Sequence, residues 1–209
     1  MIAALSAAVL VAGLGAIIAD RTGRWKLHYV LKPGTMAAVI LIAVLRTPAF
    51  PPRYQIFIVA GLAASVGGDV FMMLRKKKFT EGLTCFLVAH GLYIAAFLST
   101  IRPRIDPWTI LPLFLYAVVM MQILFPHLGK LKAPVGLYIV IITTMAGLGL
   151  DRFILMGGTP ALYAGIAAVL FVVSDSVLAV DLFVRKIKGA QWVILITYFA
   201  AQWLFAMSV

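Results

Sequence analysis

Eight long runs of apolar residues, separated by short segments that carry most of the charges, dominate this sequence. An α-helix needs about 20 consecutive apolar residues to cross the hydrocarbon core of a bilayer. Strands of a membrane β-barrel would instead alternate apolar and polar residues over about ten positions, and these runs do not. The sequence therefore predicts an all-α bundle of eight transmembrane helices, at residues 2–19, 29–45, 54–74, 79–100, 107–125, 133–150, 159–182 and 191–207.

Charged residues are too few to cover a water-soluble domain. They make up 12% of the 209 residues, against about 25% in typical globular proteins, and the mean hydropathy is +1.08. The apolar runs take up most of the chain. We therefore expect a single integral membrane domain over residues 1–209, with any chemistry inside the bundle or at its edge.

Lysine and arginine are distributed unevenly between the two ends of the predicted helices. Of the 18 basic residues, 13 follow the first, third, fifth and seventh helices or, like Lys32, lie just inside a helix on that side. Because basic loops stay in the cytoplasm, we expect both termini to be extracytoplasmic, in the inner (cell) membrane of a bacterium. The same bias accounts for the net charge of +11 without a nucleic-acid partner.

Two acidic residues, Asp69 and Asp175, lie inside predicted helices, five and seven residues before their ends. A charge deep in the bilayer costs roughly 2.5 to 3.5 kcal/mol on insertion scales, and such residues usually mark a functional site. The alternative is a structural partnership with a lysine or a backbone group. Their small neighbours, Gly68 and Ser174, allow helices to approach closely, so both carboxyl groups are expected to face one polar cavity.

The two acidic residues also occupy similar positions in the two halves of the chain. Each precedes a basic loop, and each is followed by a tyrosine near the middle of the next helix, Tyr93 or Tyr198. This pattern is consistent with a parallel four-plus-four repeat, an architecture found among membrane proteins.

Other polar side chains accompany the two acids. His90 lies in the middle of the fourth helix, where a site role competes with ordinary hydrogen-bonded packing. Lys32 either extends to the interface or serves as a counter-ion for one Asp or as a phosphate contact. The polar residues that would complete a network are Tyr93, Tyr138, Tyr198 and Gln202.

Several other chemistries lack the residues that they need. His90 is the only imidazole deep in a predicted helix, and catalytic zinc generally takes three protein ligands, so we expect no metal and no cofactor. The single cysteine, Cys85, stands in an apolar run, where a thiol is inert. The absence of a Gly-rich phosphate loop and of a G-x-S-x-G elbow argues against nucleotide hydrolysis and serine acyl transfer.

Several segments, taken in chain order, resemble the YhhN family of small polytopic membrane proteins, which includes lysoplasmalogenases. The resemblance runs from the second to the eighth predicted helix, and its most specific parts are the G-D, F-x-x-A-H-x-x-Y and S-D segments. The matching segments are residues 32–35 (KPGT), 68–74 (GDVFMML), 79–83 (FTEGL), 86–94 (FLVAHGLYI), 171–179 (FVVSDSVLA) and 198–202 (YFAAQ).

The resemblance implies hydrolysis of the vinyl-ether bond of a lysoplasmalogen to a fatty aldehyde and glycerophosphocholine or glycerophosphoethanolamine. This reaction begins with protonation of an alkene carbon and passes through an oxocarbenium ion. Asp69 and Asp175 are the candidates for the acid and for the stabilising carboxylate or base, a division of labour known from glycosidases. His90 would orient the water or one carboxylate. The candidate substrate-binding residues are Lys32, which would meet the phosphate, Tyr93, Tyr138, Tyr198 and Gln202.

The main alternative is a transporter of a small molecule or lipid. In that reading, Asp69 and Asp175 carry protons or pair with a cationic substrate. Release of an aldehyde separates the two functions, because a transporter forms no product. A third reading, an intramembrane metal hydrolase, needs more ligands near His90 than the sequence supplies.

Overall fold

The computed structural model describes residues 1–74, 78–103 and 107–209. The described residues contain eight helices long and apolar enough to cross a membrane and no strand, so the predicted all-α bundle is confirmed. The helices are α1 (Ile2–Arg21), α2 (Trp25–Leu45), α3 (Pro52–Met73), α4 (Phe79–Leu98), α5 (Pro107–Leu124), α6 (Lys132–Met156), α7 (Gly158–Ala179) and α8 (Ala190–Met207).

The connections between helices gather at two ends of the bundle. At the end that holds the turns after α1, α3, α5 and α7, called the basic end here, Tyr29 donates a hydrogen bond to the Met73 carbonyl at 2.8 Å. At the opposite end, the Ala49 N–H donates to the Val209 carbonyl at 3.2 Å. The side of the membrane that each end faces, and the proposed repeat, stay predictions.

Helices α8 and α5 occupy contrasting positions. α8 packs on α1, α2, α3 and α7, and Phe205 on α8 is fully buried. α5 packs on α6 and on the π-helical turn Val180–Val184, and among its residues Met120 and Leu124 are the buried ones. α8 is therefore central, whereas α5 forms an outer wall of the bundle.

The second helix begins earlier than the sequence indicated and contains a proline. α2 starts at Trp25, four residues before the predicted start, and continues through Pro33. A proline inside a helix removes one backbone hydrogen bond. One turn of α2 gains a side-chain bond there, because the Thr35 hydroxyl donates to the Leu31 carbonyl at 2.8 Å. Lys32 consequently lies well within a helix rather than at its edge.

The sixth helix continues beyond residue 150, where the sequence predicted its end, and takes in two charged residues. Asp151 and Arg152 lie within α6 and expose 5% and 0% of their surfaces. The Arg152 guanidinium carbon lies 4.1 Å from the centre of the Phe50 ring and 4.4 Å from that of Tyr54. Its Nε also donates to the Thr100 hydroxyl at 3.1 Å. These aromatic and polar contacts hold the guanidinium inside the protein.

Candidate active site

A cavity of about 510 Å³ lies among the halves of α1, α2, α3, α4, α7 and α8 that face the basic end. Asp69 and Asp175 both line it, together with Lys32 and Tyr198. Residues 106 positions apart in the sequence thus share one cavity wall. The arrangement matches the expectation that the two intramembrane acids face a common polar space.

Asp69 is held by a cation and a phenol. Lys32 Nζ lies 2.8 Å from Asp69 Oδ1, and the two side chains expose only 12% and 1% of their surfaces. Tyr198 donates its hydroxyl proton to Asp69 Oδ2 at 2.6 Å. A carboxylate this well buried needs a paired charge and hydrogen bonds, so Lys32 acts as a counter-ion. Lys32, Asp69 and Tyr198 are called the Asp69 cluster.

Asp175 belongs to a second group, the Asp175 cluster, with His90 and Tyr138. The Tyr138 hydroxyl donates to Asp175 Oδ2 and lies 2.8 Å from His90 Nε2. Because the tyrosine proton is directed at Asp175, the tyrosine oxygen accepts from His90, which assigns a hydrogen to Nε2. His90 Nε2 is 3.7 Å from Asp175 Oδ2, and 16% of the Asp175 side chain is exposed. Within the described part of the chain, Asp175 Oδ1 receives no hydrogen bond.

Aromatic rings separate the two clusters. The Phe86 ring centre lies 6.2 Å from that of Phe171 and 6.1 Å from that of Tyr198. Phe171 in turn lies 4.7 Å from the His90 ring. Phe86 can approach α3 closely because position 68 is a glycine, and a Cβ on Gly68 would come within 2.7 Å of the Phe86 ring. The two acids therefore share a cavity, while the rings of Phe86 and Phe171 lie between their polar partners.

Three of the expected substrate-binding residues, Tyr93, Tyr138 and Gln202, do not line the cavity. Tyr138 belongs to the Asp175 cluster, and the other two bond to each other. Tyr93 donates to Gln202 Oε1 at 2.8 Å, and both side chains are fully buried. The Tyr93 ring also stacks on Phe205, with 4.2 Å between ring centres. Gln202 follows Tyr198 by one helical turn on α8. The Tyr93–Gln202 pair therefore supports the Asp69 cluster from within the core and does not face the cavity.

Two lysines with exposed side chains line the cavity, and each is paired with a carboxylate. Lys186 Nζ lies 3.0 Å from Asp181, with 79% of the lysine side chain exposed. Lys78 Nζ lies 3.0 Å from Glu81, with 45% of its side chain exposed. Exposed ion pairs of this kind contribute little to stability, so both lysines remain available to an anion. The rest of the basic run, residues 75–77, lies outside the described residues.

A pair of hydroxyl groups beside Asp175 was not predicted from the sequence. Tyr116 on α5 lies 2.7 Å from the Ser176 hydroxyl on α7. Ser176 donates to the Val172 carbonyl at 2.5 Å, so Tyr116 is the donor of the pair. Tyr116 is the single polar side chain in its part of an apolar run. Its position in the sequence therefore did not indicate a contact with Ser176, which lies two helices later on α7.

Comparisons with known proteins identify relatives of this chain. Lysoplasmalogenase TMEM86A of Bos taurus is 34% identical over 163 residues, which are 76% of this chain and 66% of the relative. Lysoplasmalogenase TMEM86B of Homo sapiens is 34% identical over 156 residues, 74% of this chain and 64% of the relative. The protein named uncharacterized membrane protein YhhN of Escherichia coli O157:H7 is 25% identical over 182 residues, 87% of this chain and 86% of the relative.

This chain covers just under two thirds of the length of its mammalian relatives, 66% and 64% of the two proteins. No solved structure matches it. The sequence pattern of the YhhN family matches residues 27–209, which include both acid clusters. Because the match extends over α2 to α8, the chain belongs to the YhhN family.

Proposed function

We propose that this protein hydrolyses the vinyl-ether bond of a lysoplasmalogen, with a fatty aldehyde and a glycerophospho-alcohol as products. The observation that carries the proposal is the pair of carboxyl groups, Asp69 and Asp175, on one cavity. The names of the mammalian relatives, both lysoplasmalogenases, supply the substrate class. The cavity adjoins a charged rim and an apolar bundle, which suits a lipid with a charged head and one hydrocarbon chain.

The reaction needs a proton donor and a stabiliser of positive charge. A proton added to the alkene carbon that does not bear oxygen creates an oxocarbenium ion at the carbon that does. Water adds to that carbon and loses a proton, which gives a hemiacetal. The hemiacetal splits into the aldehyde and the glycerol hydroxyl, whose oxygen takes up a proton. One water is consumed, and the electrons balance without an oxidant or a cofactor.

The two carboxyl groups stand in the contrasting surroundings that acid–base catalysis requires. Asp69 has a permanent cation at 2.8 Å. Asp175 is bonded to a tyrosine hydroxyl, with an imidazole 3.7 Å away. A fixed negative charge in a water-poor cavity stabilises a developing cation strongly. We therefore propose that one group, as a carboxylate, stabilises the positive charge and that the other, as a carboxylic acid, donates the proton.

The head group is assigned to the rim of the cavity. Lys32 was expected to meet the phosphate, but its amino group is paired with Asp69. Lys78 and Lys186 line the same cavity, and their side chains stay 45% and 79% exposed although each is paired with a carboxylate. We assign the phosphate to these two lysines. If the basic end is cytoplasmic, as the distribution of lysine and arginine predicts, the substrate comes from the cytoplasmic leaflet.

The test is product analysis with protein purified in detergent. A 1-alkenyl and a 1-acyl lysophospholipid of equal chain length are incubated separately, and aldehyde and fatty acid are measured in each. We expect aldehyde from the alkenyl lipid and no fatty acid from the acyl lipid. Fatty acid without aldehyde would identify an esterase, and uptake into vesicles without any product would identify a transporter.

Asp69→Asn and Asp175→Asn are the informative variants. Removing a general acid or its partner typically slows a reaction by about 100-fold or more, so we expect each variant to lose turnover on that scale while eluting as a folded protein. Near-normal aldehyde release by both variants would overturn the proposal, even if the wild-type protein is active.

A further inference from the structure

A narrow cleft leads from the cavity and passes between α5 and the rest of the bundle. Its volume is about 60 Å³, and its walls come from α3, α4, α5, α6 and α7. The cleft and the cavity adjoin, because both are lined by Met72, Phe79, Phe86, Asp175, Leu178 and Leu182. Of these shared residues, Asp175 alone carries an ionisable group.

The cleft is suited to hydrocarbon. Most of its wall consists of leucine, isoleucine, valine, methionine, phenylalanine and alanine side chains. Its hydroxyl groups are already bonded, since Tyr116 pairs with Ser176, Ser176 with a backbone carbonyl and Tyr138 with Asp175. An anionic phosphate would find no lysine, arginine or histidine among the residues that line the cleft, whereas an apolar chain would lose only its contact with water or lipid.

The cleft is small, and the helix that closes it buries few of its residues. A buried water molecule needs a cavity volume of about 15 Å³, so a cleft of about 60 Å³ has room for roughly four groups the size of a water molecule. It can therefore enclose the first carbons of a chain and no more. α5 buries only Met120 and Leu124 among its described residues, so the remaining carbons can pass beneath it into the bilayer.

We infer that the substrate lies across the junction of the two spaces, with its head in the cavity, the first carbons of its chain in the cleft and its vinyl-ether group at Asp175, which is the proton donor. The inference rests on the proposed function and goes beyond it. It assigns the catalytic acid, gives the chain a binding site and makes Met120 a residue that determines specificity.

The surroundings of the two carboxyl groups agree with this assignment. Both oxygens of Asp69 are occupied, one by Lys32 and one by Tyr198, and Asp69 does not line the cleft. The described hydrogen bonds of Asp175 reach only Oδ2, which leaves Oδ1 to carry a proton toward the substrate. Asp69 is thus the fixed carboxylate that faces the positive charge, and Asp175 is the acid.

Asp175 first donates a proton to the substrate and then accepts one from water. The O–H bond at Oδ1 breaks as its proton forms a C–H bond with the second carbon of the chain, and the alkene π electrons supply that bond. Asp175, now a carboxylate, accepts a proton from the water that attacks the first carbon. Protonated again, Asp175 donates that proton to the glycerol oxygen as the C–O bond of the hemiacetal breaks. It then recovers a proton from the hemiacetal hydroxyl, whose oxygen becomes the aldehyde oxygen.

Filling the cleft tests where the chain binds. Met120 is 7% exposed and lines the cleft, so Met120→Trp places a larger side chain there. We expect kcat/KM for a 1-hexadecenyl lysophospholipid to fall by about tenfold or more, on the scale of lost pocket contacts. The same head group bearing a 1-ethenyl ether, which has the reacting bond but no chain, should be hydrolysed as by the wild type.

The matched control is Leu14→Trp, which enlarges a side chain in a lipid-facing groove between α1 and α8 and should leave both substrates unaffected. Equal loss on the two substrates, or no loss on either, would overturn the chain placement. If Met120→Trp does not fold, the wild-type protein is photolabelled instead. The probe is a saturated alkyl-ether lysophospholipid that carries a photoreactive diazirine on the fourth carbon of its chain. Labels on Met120 or Ile139 support the inference, and labels confined to the α1–α8 groove overturn it.

Binding of a cationic inhibitor tests the choice of acid. A lysophospholipid analogue with a permanent ammonium at the position of the first chain carbon mimics the oxocarbenium ion, and such analogues bind far more tightly than substrates. With Asp69 as the fixed carboxylate, Asp69→Asn should weaken inhibition by about tenfold or more, whereas Asp175→Asn should bind the analogue nearly as well as the wild type, and the reverse pattern would overturn the assignment. A wild type that releases no aldehyde refutes the proposed function itself, whereas an active wild type with unaltered variants refutes only this inference.

Discussion

The amino group of Lys32 lies 2.8 Å from Asp69 Oδ1 inside the bundle. Lys32 directly precedes Pro33 in α2. A buried ion pair adds little net stability when it is intact, yet loss of one partner is costly because a charge is left without compensation. This relationship gives Lys32 an importance for folding that is separate from its place in the reaction.

Replacement of Lys32 by methionine should strongly destabilise the protein. The Asp69 carboxylate would stay buried without a cation, and we expect the free energy of unfolding to fall by about 3 to 5 kcal/mol. The double variant Lys32→Met with Asp69→Asn should recover most of that loss. Thermal unfolding in detergent measures both, with Lys132→Met, at the exposed start of α6, as the control. A single variant as stable as the wild type would contradict the ionised state of Asp69.

Tyr198→Phe removes one hydrogen bond and keeps the ring. Asp69 Oδ2 loses its donor, while the ring still packs against Phe86. We expect a loss of about 1 kcal/mol in stability and a fall in kcat of about tenfold, the rate equivalent of about 1.4 kcal/mol, because the carboxylate is free to turn. The control is Tyr163→Phe, since the Tyr163 ring packs near Trp203 away from the cavity. Equal effects of the two variants would argue against a role for the Tyr198 hydroxyl.

Tyr138→Phe disconnects the Asp175 cluster. His90 Nε2 and Asp175 Oδ2 would each lose the hydroxyl that lies between them, whereas the packing of the Tyr138 ring against His90 would persist. We expect kcat to fall by about tenfold or more with a smaller change in KM, because the hydroxyl is bonded to Asp175 Oδ2 and orients the acid. Steady-state aldehyde assays check this. A change confined to KM would place Tyr138 at the substrate instead.

Gly61→Ala should disturb the site from a distance. A Cβ at Gly61 would come within 2.4 Å of the Tyr93 ring, whereas a Cβ at Gly91 meets nothing within 4 Å. Overpacking of this kind costs about 1 to 3 kcal/mol, so Gly61→Ala should lower the melting temperature and Gly91→Ala should not. The comparison also controls for the higher helix propensity of alanine. Similar melting temperatures for the two variants would mean that Tyr93 can shift without loss.

The intramembrane acids could be predicted because lipid makes a buried charge conspicuous. Asp69 and Asp175 stood out from the sequence alone, and the structure brings them to one cavity. Lys32 was left with several alternative roles, since spacing along a chain cannot tell which acid a lysine will reach. The distance of 2.8 Å to Asp69 resolves that choice.

Other features could not be predicted because one residue type can have quite different positions and partners in a membrane protein. The sixth helix was predicted to end at residue 150, but Arg152 lies within α6 among aromatic rings. Tyr93 and Gln202 looked like substrate contacts and instead bond to each other in the core. Tyr116 was missed because its partner, Ser176, lies 60 positions away. In each case the deciding contact joins helices that are distant in sequence.

The order in which the chain is synthesised gives α8 a particular role. The Asp175 cluster takes its residues from α4, α6 and α7, so it can form before α8 is made. The Asp69 cluster cannot, because Tyr198 lies 129 positions after Asp69. A nascent chain that has inserted only seven helices would leave the Lys32–Asp69 pair facing lipid on the side where α8 packs. Insertion of α8 therefore both completes the candidate site and covers a buried ion pair that lipid would otherwise contact.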